Sequence, residues 1–358
     1  LRGEQRAGAN FTRRPWMSLE PMNLLRSLSL AALCAGCVPP EQQATEGTRT
    51  TVDAQLKAME EAARAMKAAA PAPDADGWNA ASDARAVQQM RAHWRELRAS
   101  YERVEGAIAV LFPDLDASTD GRYDDTVLTS TDANLFDGKG FTGVHAAERI
   151  LWSDSVPEPV TRFESALPGY EAPRFPESAA EAEDFREKLL GRLVEDCASM
   201  RAQFAPLQLD PGAAFRGVMG SMDEQAEKVD LGATGEEESR YARYTLADMR
   251  ANLAGAQAFY AHFQPWVLSK GEAGKAADEE VEQGFAALAA AYGALGGDAL
   301  PEVPADWSSQ APSDTSLQTP YGKLWRAVED ATDVTAEDSL SSALRKAATL
   351  MNIPEYAE

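Results

Sequence analysis

Val52, Leu56, Met59, Ala63 and Met66 are apolar positions separated by steps of four, three, four and three, with polar residues between them. That period lays one apolar stripe along an α-helix, which Pro71 and Pro73 end because proline lacks the amide that a continuing helix needs. The same spacing predicts a second long helix over 81–111, stopped by Pro113. Leu189, Leu193, Cys197, Met200 and Phe204 form another stripe, so Cys197 is expected to be a small core residue and not a reactive thiol. Leu246, Met249, Leu253, Ala256, Tyr260 and Phe263 mark a third long helix, expected to begin near Glu236 and to end before Pro265. Phe285, Leu288, Ala291, Tyr292 and Leu295 mark a further one that Gly296 and Gly297 close.

Alternating runs of Val, Ile and Thr are nearly absent, whereas Ala, Glu, Leu, Arg and Met dominate the periodic segments. The fold class this predicts is all-α, a bundle of long helices. Segments 113–141, 157–176 and 300–320 have low helicity and are long for bundle connections, so each is expected to cross the bundle or to line a site.

Composition then bounds the function. With 358 residues, 44% of them hydrophobic, the chain can bury a full core as one large domain or two packed halves, without needing a disulfide or a metal in order to fold. Lys and Arg number 34 against 57 Asp and Glu, a net charge of -23 that repels nucleic acid and attracts cations.

The first residues read as processing signal. Arg26 precedes the apolar run Leu28-Ser29-Leu30-Ala31-Ala32-Leu33, which is far shorter than the roughly 20 residues a membrane-spanning helix needs. Cys34-Ala35-Gly36-Cys37 follows, and Ala-Gly before a Cys resembles a bacterial lipobox with Cys37 as the lipidated residue. Residues 22–36 are therefore expected to be a lipoprotein signal peptide that sends the chain to the cell envelope, with residues 1–21 a mis-called start. Residues 37–51 are polar and are expected to be a tether between lipid and domain, which leaves 52–358 as the folded part.

His145 and Glu148 lie three residues apart, so a helix presents them on one face with Cβ atoms about 5–6 Å apart, where they can share one ion. Imidazole and carboxylate together suit iron, zinc, manganese or copper. His93 and Glu96 repeat the spacing, so spacing alone does not make a site. Phosphate-cradling glycine loops, the His-Glu-x-x-His zinc signature and the Gly-x-Ser-x-Gly elbow are absent from the sequence. Trp152 and Trp325 are expected as packing anchors, and His262 as a residue that meets helix-terminal carbonyls or fills space.

Gly143-Val144-His145-Ala146-Ala147-Glu148 resembles the Gly-x-His-x-x-Glu motif of the imelysin-like family, which includes EfeO-type periplasmic iron-uptake proteins; His93 has no such preceding Gly. Two further segments agree in order: Tyr101-Glu102-Arg103-Val104-Glu105 with Asp114-Leu115-Asp116 upstream, and Gly235-Glu236-Glu237-Glu238-Ser239-Arg240-Tyr241 with Ala251-Asn252-Leu253-Ala254-Gly255-Ala256 downstream. The resemblance implies two related helical halves with the motif in a cleft between them and carboxylates from other helices completing the ligand shell. Glu105 and Glu238 are the positions it points to, with Asp116 and Glu237 behind them. One departure is Arg240-Tyr241-Ala242-Arg243-Tyr244-Thr245-Leu246, where EfeO-type relatives read Arg-Tyr-Ser-His-Thr-Asp-Leu.

The reading that follows is a lipid-anchored envelope protein that captures iron, or zinc or copper in its place, and passes it to a membrane iron permease. The alternatives are a metallopeptidase and a structural or adhesive lipoprotein without metal. A hydrolytic zinc site normally has three protein ligands, an open water position and a separate base, and the sequence offers neither a second His ligand nor a committed base.

Overall fold

A computed structural model describes residues 38–79, 82–129 and 134–354. Among these residues every regular element is helical, and no helix is long and apolar enough to cross a membrane. The expected signal segment and the Cys37 lipidation site lie outside the described residues.

The first helix, α1 (Pro40–Ala69), begins well before Val52, so the expected polar tether is corrected from Pro40 onward. Proline suits the first turn, where its missing N–H has no partner to lose. Ala44 and Thr48 then extend the buried stripe of Val52, Leu56 and Met59 by two further four-residue steps. Arg49 fixes this end by donating to the carbonyls of Ala205 and Leu207. Each fully buried Leu or Met of the stripe contributes about 1.5–3 kcal/mol.

The helix expected over 81–111 is two helices, α2 (Ala84–Glu102) and α3 (Glu105–Leu111), separated by a turn at Arg103 and Val104. Segment 113–141, expected to be poor in helix, holds α4 (Pro113–Asp120) and α5 (Tyr123–Thr129). Then come α6 (Gly143–Leu151), α7 (Glu158–Glu164) and α8 (Ala179–Asp184), followed by a π-turn at Phe185–Leu189 that leads into α9 (Leu190–Phe204). Cys197 on α9 is buried and free, and burial pushes its thiol up to about 12, as befits a core residue.

Helix α10 (Pro211–Leu231) has no counterpart among the sequence expectations. Asp210 caps it by accepting from Ala213 N–H, and Pro211 occupies its first turn. The third long helix, α11 (Thr245–Leu268), starts later than expected and runs through Pro265. Gly235 and Arg243 both have positive φ, which keeps 236–244 in turns, and Pro265 sits in the last turn, where few intrahelical bonds remain to be lost. The chain closes with α12 (Glu272–Gly293), α13 (Pro320–Thr332), capped by Thr319, and α14 (Leu340–Met351), capped by Ser339.

Helix α1 packs on α2, α9 and α11; α11 also packs on α10 and α12, and α12 packs on α13 and α14. Long helices thus gather on either side of α11, and residues from Pro39 onward form one packed unit. Trp152 is buried edge-on to Trp94, and Trp325 lies edge-on to Trp307 with its Nε1 donating to Asp230, so both act as packing anchors. His262 fills space, with its ring over Gly47 and Nε2 2.9 Å from Thr51 Oγ1.

Candidate metal centre

Helix α6 is buried along its whole length, so its polar residues must find partners inside the protein. It is held in place from two directions. Trp94 Nε1 on α2 donates to the Val144 carbonyl at 2.9 Å, and Thr142 Oγ1 donates to the Ser118 carbonyl of α4 at 3.0 Å. Gly143 has φ +89°, and a Cβ there would overlap the Thr119 carbonyl. The glycine of the motif therefore permits the close approach of α4 to α6. That approach brings Asp120, at the end of α4, to His145.

His145 Nδ1 lies 2.8 Å from Glu148 Oε2, and Glu148 Oε1 accepts the Ala242 N–H at 2.7 Å. Both oxygens of Glu148 are thus engaged, one with the imidazole and one with the turn before α11. In this arrangement Glu148 stands behind the ring and leaves Nε2 as the outward nitrogen. Nε2 is buried without a hydrogen bond, 3.2 Å from Asp120 Oδ1 but out of alignment with it. Burial lowers the pKa of His145 against the opposing pull of Glu148, which favours the neutral imidazole that a metal requires.

Asp120, His145 and Glu238 each offer a ligand atom within 4.8 Å of one another. Glu238 also groups with Glu102 and Asp248, and with Glu105 and Glu224, so it belongs to all three sets. The break between α2 and α3 separates Glu102 from Glu105 and leaves both buried beside Lys228 of α10. Gly255 on α11 packs against the backbone of Arg103 at this break, where a Cβ would overlap the carbonyl.

Two cations stand among these carboxylates. Arg98 pairs with Glu102, Asp120 and Glu238, and its Nε lies 3.4 Å from Asp248. Lys228 Nζ lies 2.7 Å from Glu238, 3.1 Å from Glu105 and 3.4 Å from Glu102. Burial opposes charge on Lys228, but Glu102, Glu105 and Glu238 outweigh it and hold its pKa well above normal. Burial likewise acts to raise Glu238, but Lys228 and Arg98 prevail and hold it well below the carboxylate range. Asp120 and Asp248 are pushed up to about 6 by burial, against the pull of Arg98. Among the described residues, Glu102, Glu105, Asp120, Glu238 and Asp248 thus have Arg98 and Lys228 as their cationic partners, five carboxylates to two cations, an excess that matches a further cation.

Of the positions the sequence pointed to, His145, Glu148, Glu105 and Glu238 meet in one buried region. Glu238 reaches it from the turns before α11 and not from a helix start. Asp116 accepts from Tyr101 OH at 2.5 Å beside the cluster, and Glu237 lies half-buried next to Glu238 with Oε2 unbonded. Arg243, at the position of the missing His, is exposed and has φ 53°. Asp120, Glu102, Asp248, Arg98 and Lys228 were not expected. Arg98 lies on the buried face of α2 with Trp94 and Tyr101, and a charge within an apolar stripe was the signal available. An orphaned imidazole nitrogen among carboxylates fits an iron or other transition-metal ion. The other two histidines lie elsewhere, His93 at the surface and His262 against α1.

Known proteins bear on this arrangement. The chain resembles the iron uptake system component EfeO of Yersinia pseudotuberculosis serotype I, 31% identical over 160 residues, which is 45% of this chain and 33% of that protein. It also resembles the iron uptake system component EfeO of Escherichia coli O1:K1, 27% identical over 171 residues, 48% of this chain and 36% of that protein. The matched stretch spans about a third of these relatives. The imelysin (M75 peptidase) family matches residues 48–324, most of the described chain. By that match, which takes in α2, the glycine-histidine-glutamate motif of α6 and the turns that carry Glu238, the chain belongs to the imelysin family.

Proposed function

We propose that the chain captures a transition-metal ion, with iron as its cargo, and hands it to a membrane iron permease. The observation that carries this reading is His145 Nε2, which is buried, lacks a hydrogen bond and faces Asp120 and Glu238. One imidazole among several carboxylates is a donor set of mainly hard oxygen atoms, which suits iron better than copper. Asp120, His145 and Glu238 would hold the ion. Glu148, hydrogen-bonded to Nδ1, would fix the ring and raise the basicity of Nε2, as the carboxylates behind metal-binding histidines do. Glu105 belongs with Glu238 and Glu224 in an adjoining carboxylate set.

The relatives named for iron uptake support the choice of cargo, and the net charge of -23 raises the local concentration of cations. We read residues 22–36 as the export signal and Cys37 as the lipid-bearing residue, which would keep the protein at the envelope near its permease. The helices gathered on either side of α11 are read as the two related halves, with the centre between them. Binding and not hydrolysis is the proposed activity, because Asp120 and Glu238, the carboxylates that group with His145, are tied to Arg98 and Lys228 and so are not free to act as a base.

Calorimetric titration with ferrous, ferric, zinc and copper ions tests the reading on the wild-type chain beside His145→Ala and His93→Ala. Saturable binding that His145→Ala abolishes and His93→Ala keeps, with helicity equal in all three, is the expected result. An absence of saturable binding in the wild type would leave a structural envelope protein as the better account.

A further inference from the structure

Lys228 stands where a cation would stand. Its Nζ has three carboxylates around it, Glu238 at 2.7 Å, Glu105 at 3.1 Å and Glu102 at 3.4 Å, and its side chain has no exposure to solvent. Two of those carboxylates, with Glu224, bring their oxygens within 4.8 Å of one another. The ammonium therefore fills a position with the charge and oxygen donors of a small ion site. Acceptor capacity remains there, because Oε2 of Glu102 and Oδ1 of Asp248 are buried without a hydrogen bond.

The carboxylates are also held from behind by groups other than Lys228. Asn252 Nδ2 donates to Glu105 Oε2 at 2.6 Å, Gln225 Nε2 donates to Asn252 Oδ1 at 2.7 Å, and Tyr292 OH donates to Gln225 Oε1 at 2.6 Å. This chain runs from α12 through α10 and α11 to the site, and every donor in it points toward the carboxylate. Arg98 holds Glu102 and Glu238 independently. Of the site's members, Lys228 is the one whose charge rides on a flexible four-carbon stem, and Glu224, one helical turn before it, is half-buried and offers a second partner. Glu238 links this position to His145, since it belongs to the group with Asp120 and His145 and is also the carboxylate nearest to Nζ.

We propose that Lys228 is a resident surrogate for the cargo: its ammonium fills the Glu102–Glu105–Glu238 subsite while no ion is bound and is displaced when an ion on His145 takes Glu238. The proposal rests on the metal-capture reading and adds the element that sets affinity and release. A site of buried carboxylates with no cation would be destabilised by their mutual repulsion, and one without a displaceable cation would release its ion slowly. An internal ammonium meets both requirements, because it compensates the empty site and competes with the ion in the loaded one.

The test uses the full chain in the wild-type, Lys228→Met and His145→Ala forms, titrated with ferrous ion under anaerobic conditions and with zinc, together with thermal melts with and without ion. Lys228→Met should bind about tenfold tighter or more, melt lower than wild type without ion, and regain most of that deficit at saturation. Binding by Lys228→Met alone, with the wild type silent, overturns both readings, since an ammonium that no ion displaces is a permanent member of the site and not a surrogate. If wild type binds, His145→Ala does not, and Lys228→Met binds equally or more weakly, the surrogate role is overturned while the capture reading stands. If no form binds either ion, both fall. Should the Met variant not fold, Lys228→Gln carries the same comparison. Failure of both to fold even with ion present overturns the proposal, because the loaded protein would then need the ammonium too.

Discussion

The chain contains the same local pair twice. His145 and Glu148 on α6 meet with Nδ1 2.8 Å from the carboxylate, and His93 and Glu96 on α2 meet at 2.9 Å. By spacing and distance the two are indistinguishable. The first has side chains at 2% and 0% exposure, and the second at 32% and 65%. Burial changes what the pair can do: the His93 side chain is open to solvent, whereas around His145 the protein leaves Nε2 facing Asp120 and Glu238. The surface pair is an ordinary helix contact worth a few tenths of a kcal/mol. The buried pair is a polarised nitrogen donor set among carboxylates.

Two positions before each His the chain differs in kind, with Gly143 before one and Arg91 before the other. Arg91 uses its guanidinium on the Leu151 carbonyl and on Asp154. Gly143 instead lets α4 lie against α6, and this contact is the sharpest place to break the comparison. Gly143→Ala adds a Cβ that overlaps the Thr119 backbone at a φ that L-residues rarely adopt. A loss of about 2–4 kcal/mol in chemical denaturation is expected, with ion binding abolished because Asp120 is moved away from Nε2. If stability fell while binding survived, Asp120 would not be a ligand.

The next largest effect separates the two glutamates. Glu148→Gln keeps a hydrogen-bonding group behind the imidazole but removes its charge, which lowers the basicity of Nε2. Ion affinity should fall about 10- to 100-fold by calorimetry, with the chain still folded. Glu96→Gln should leave both affinity and stability unchanged within about 0.5 kcal/mol. A loss as complete as in His145→Ala would instead make Glu148 a direct ligand, the arrangement that the i, i+3 spacing first suggested.

Much of this was legible in the sequence, and the rest was hidden for identifiable reasons. The stripe from Val52 to Met66 announced α1, but its first two turns bury Ala44 and Thr48, which are too small or too polar to mark an apolar face. Helices α10, α13 and α14 carry readable starts in Asp210-Pro211, Thr319-Pro320 and Ser339, which are capping signals that apolar periodicity does not contain. His145 and Glu148 stood out because the whole motif is local. Asp120, Asp248, Arg98 and Lys228 come from α4, α11, α2 and α10, and only tertiary packing brings them together. Their trace in the sequence was weak but physical, since Arg98 and Lys228 are charges on faces that otherwise bury Trp94, Tyr101, Met222 and Val229.

The smallest expected effect concerns pH, and it distinguishes buried carboxylates from exposed ones. Burial pushes Glu224 up to about 8, Glu237 to about 7, and Asp116, Asp120 and Asp248 to about 6. A carboxyl whose folded pKa lies above its unfolded value binds its proton more tightly when folded. Its contribution to stability is complete below the unfolded pKa near 4 and is lost as pH rises through the folded value. Glu238, held low by Lys228 and Arg98 against burial, acts in the opposite sense, but only as pH falls below its unfolded value. His145 and His262, lowered by burial, oppose the trend only as pH falls through about 6.5. Between about pH 8.5 and 6.5 the first group therefore governs, and the cargo-free chain should melt a few degrees higher at the lower pH. Saturating ion should flatten that slope, because a bound cation stabilises the ionised carboxylates at the pH where protons no longer do so. A flat profile would mean that these carboxylates stay fully ionised across the range, with Arg98 and Lys228 sufficient to compensate them.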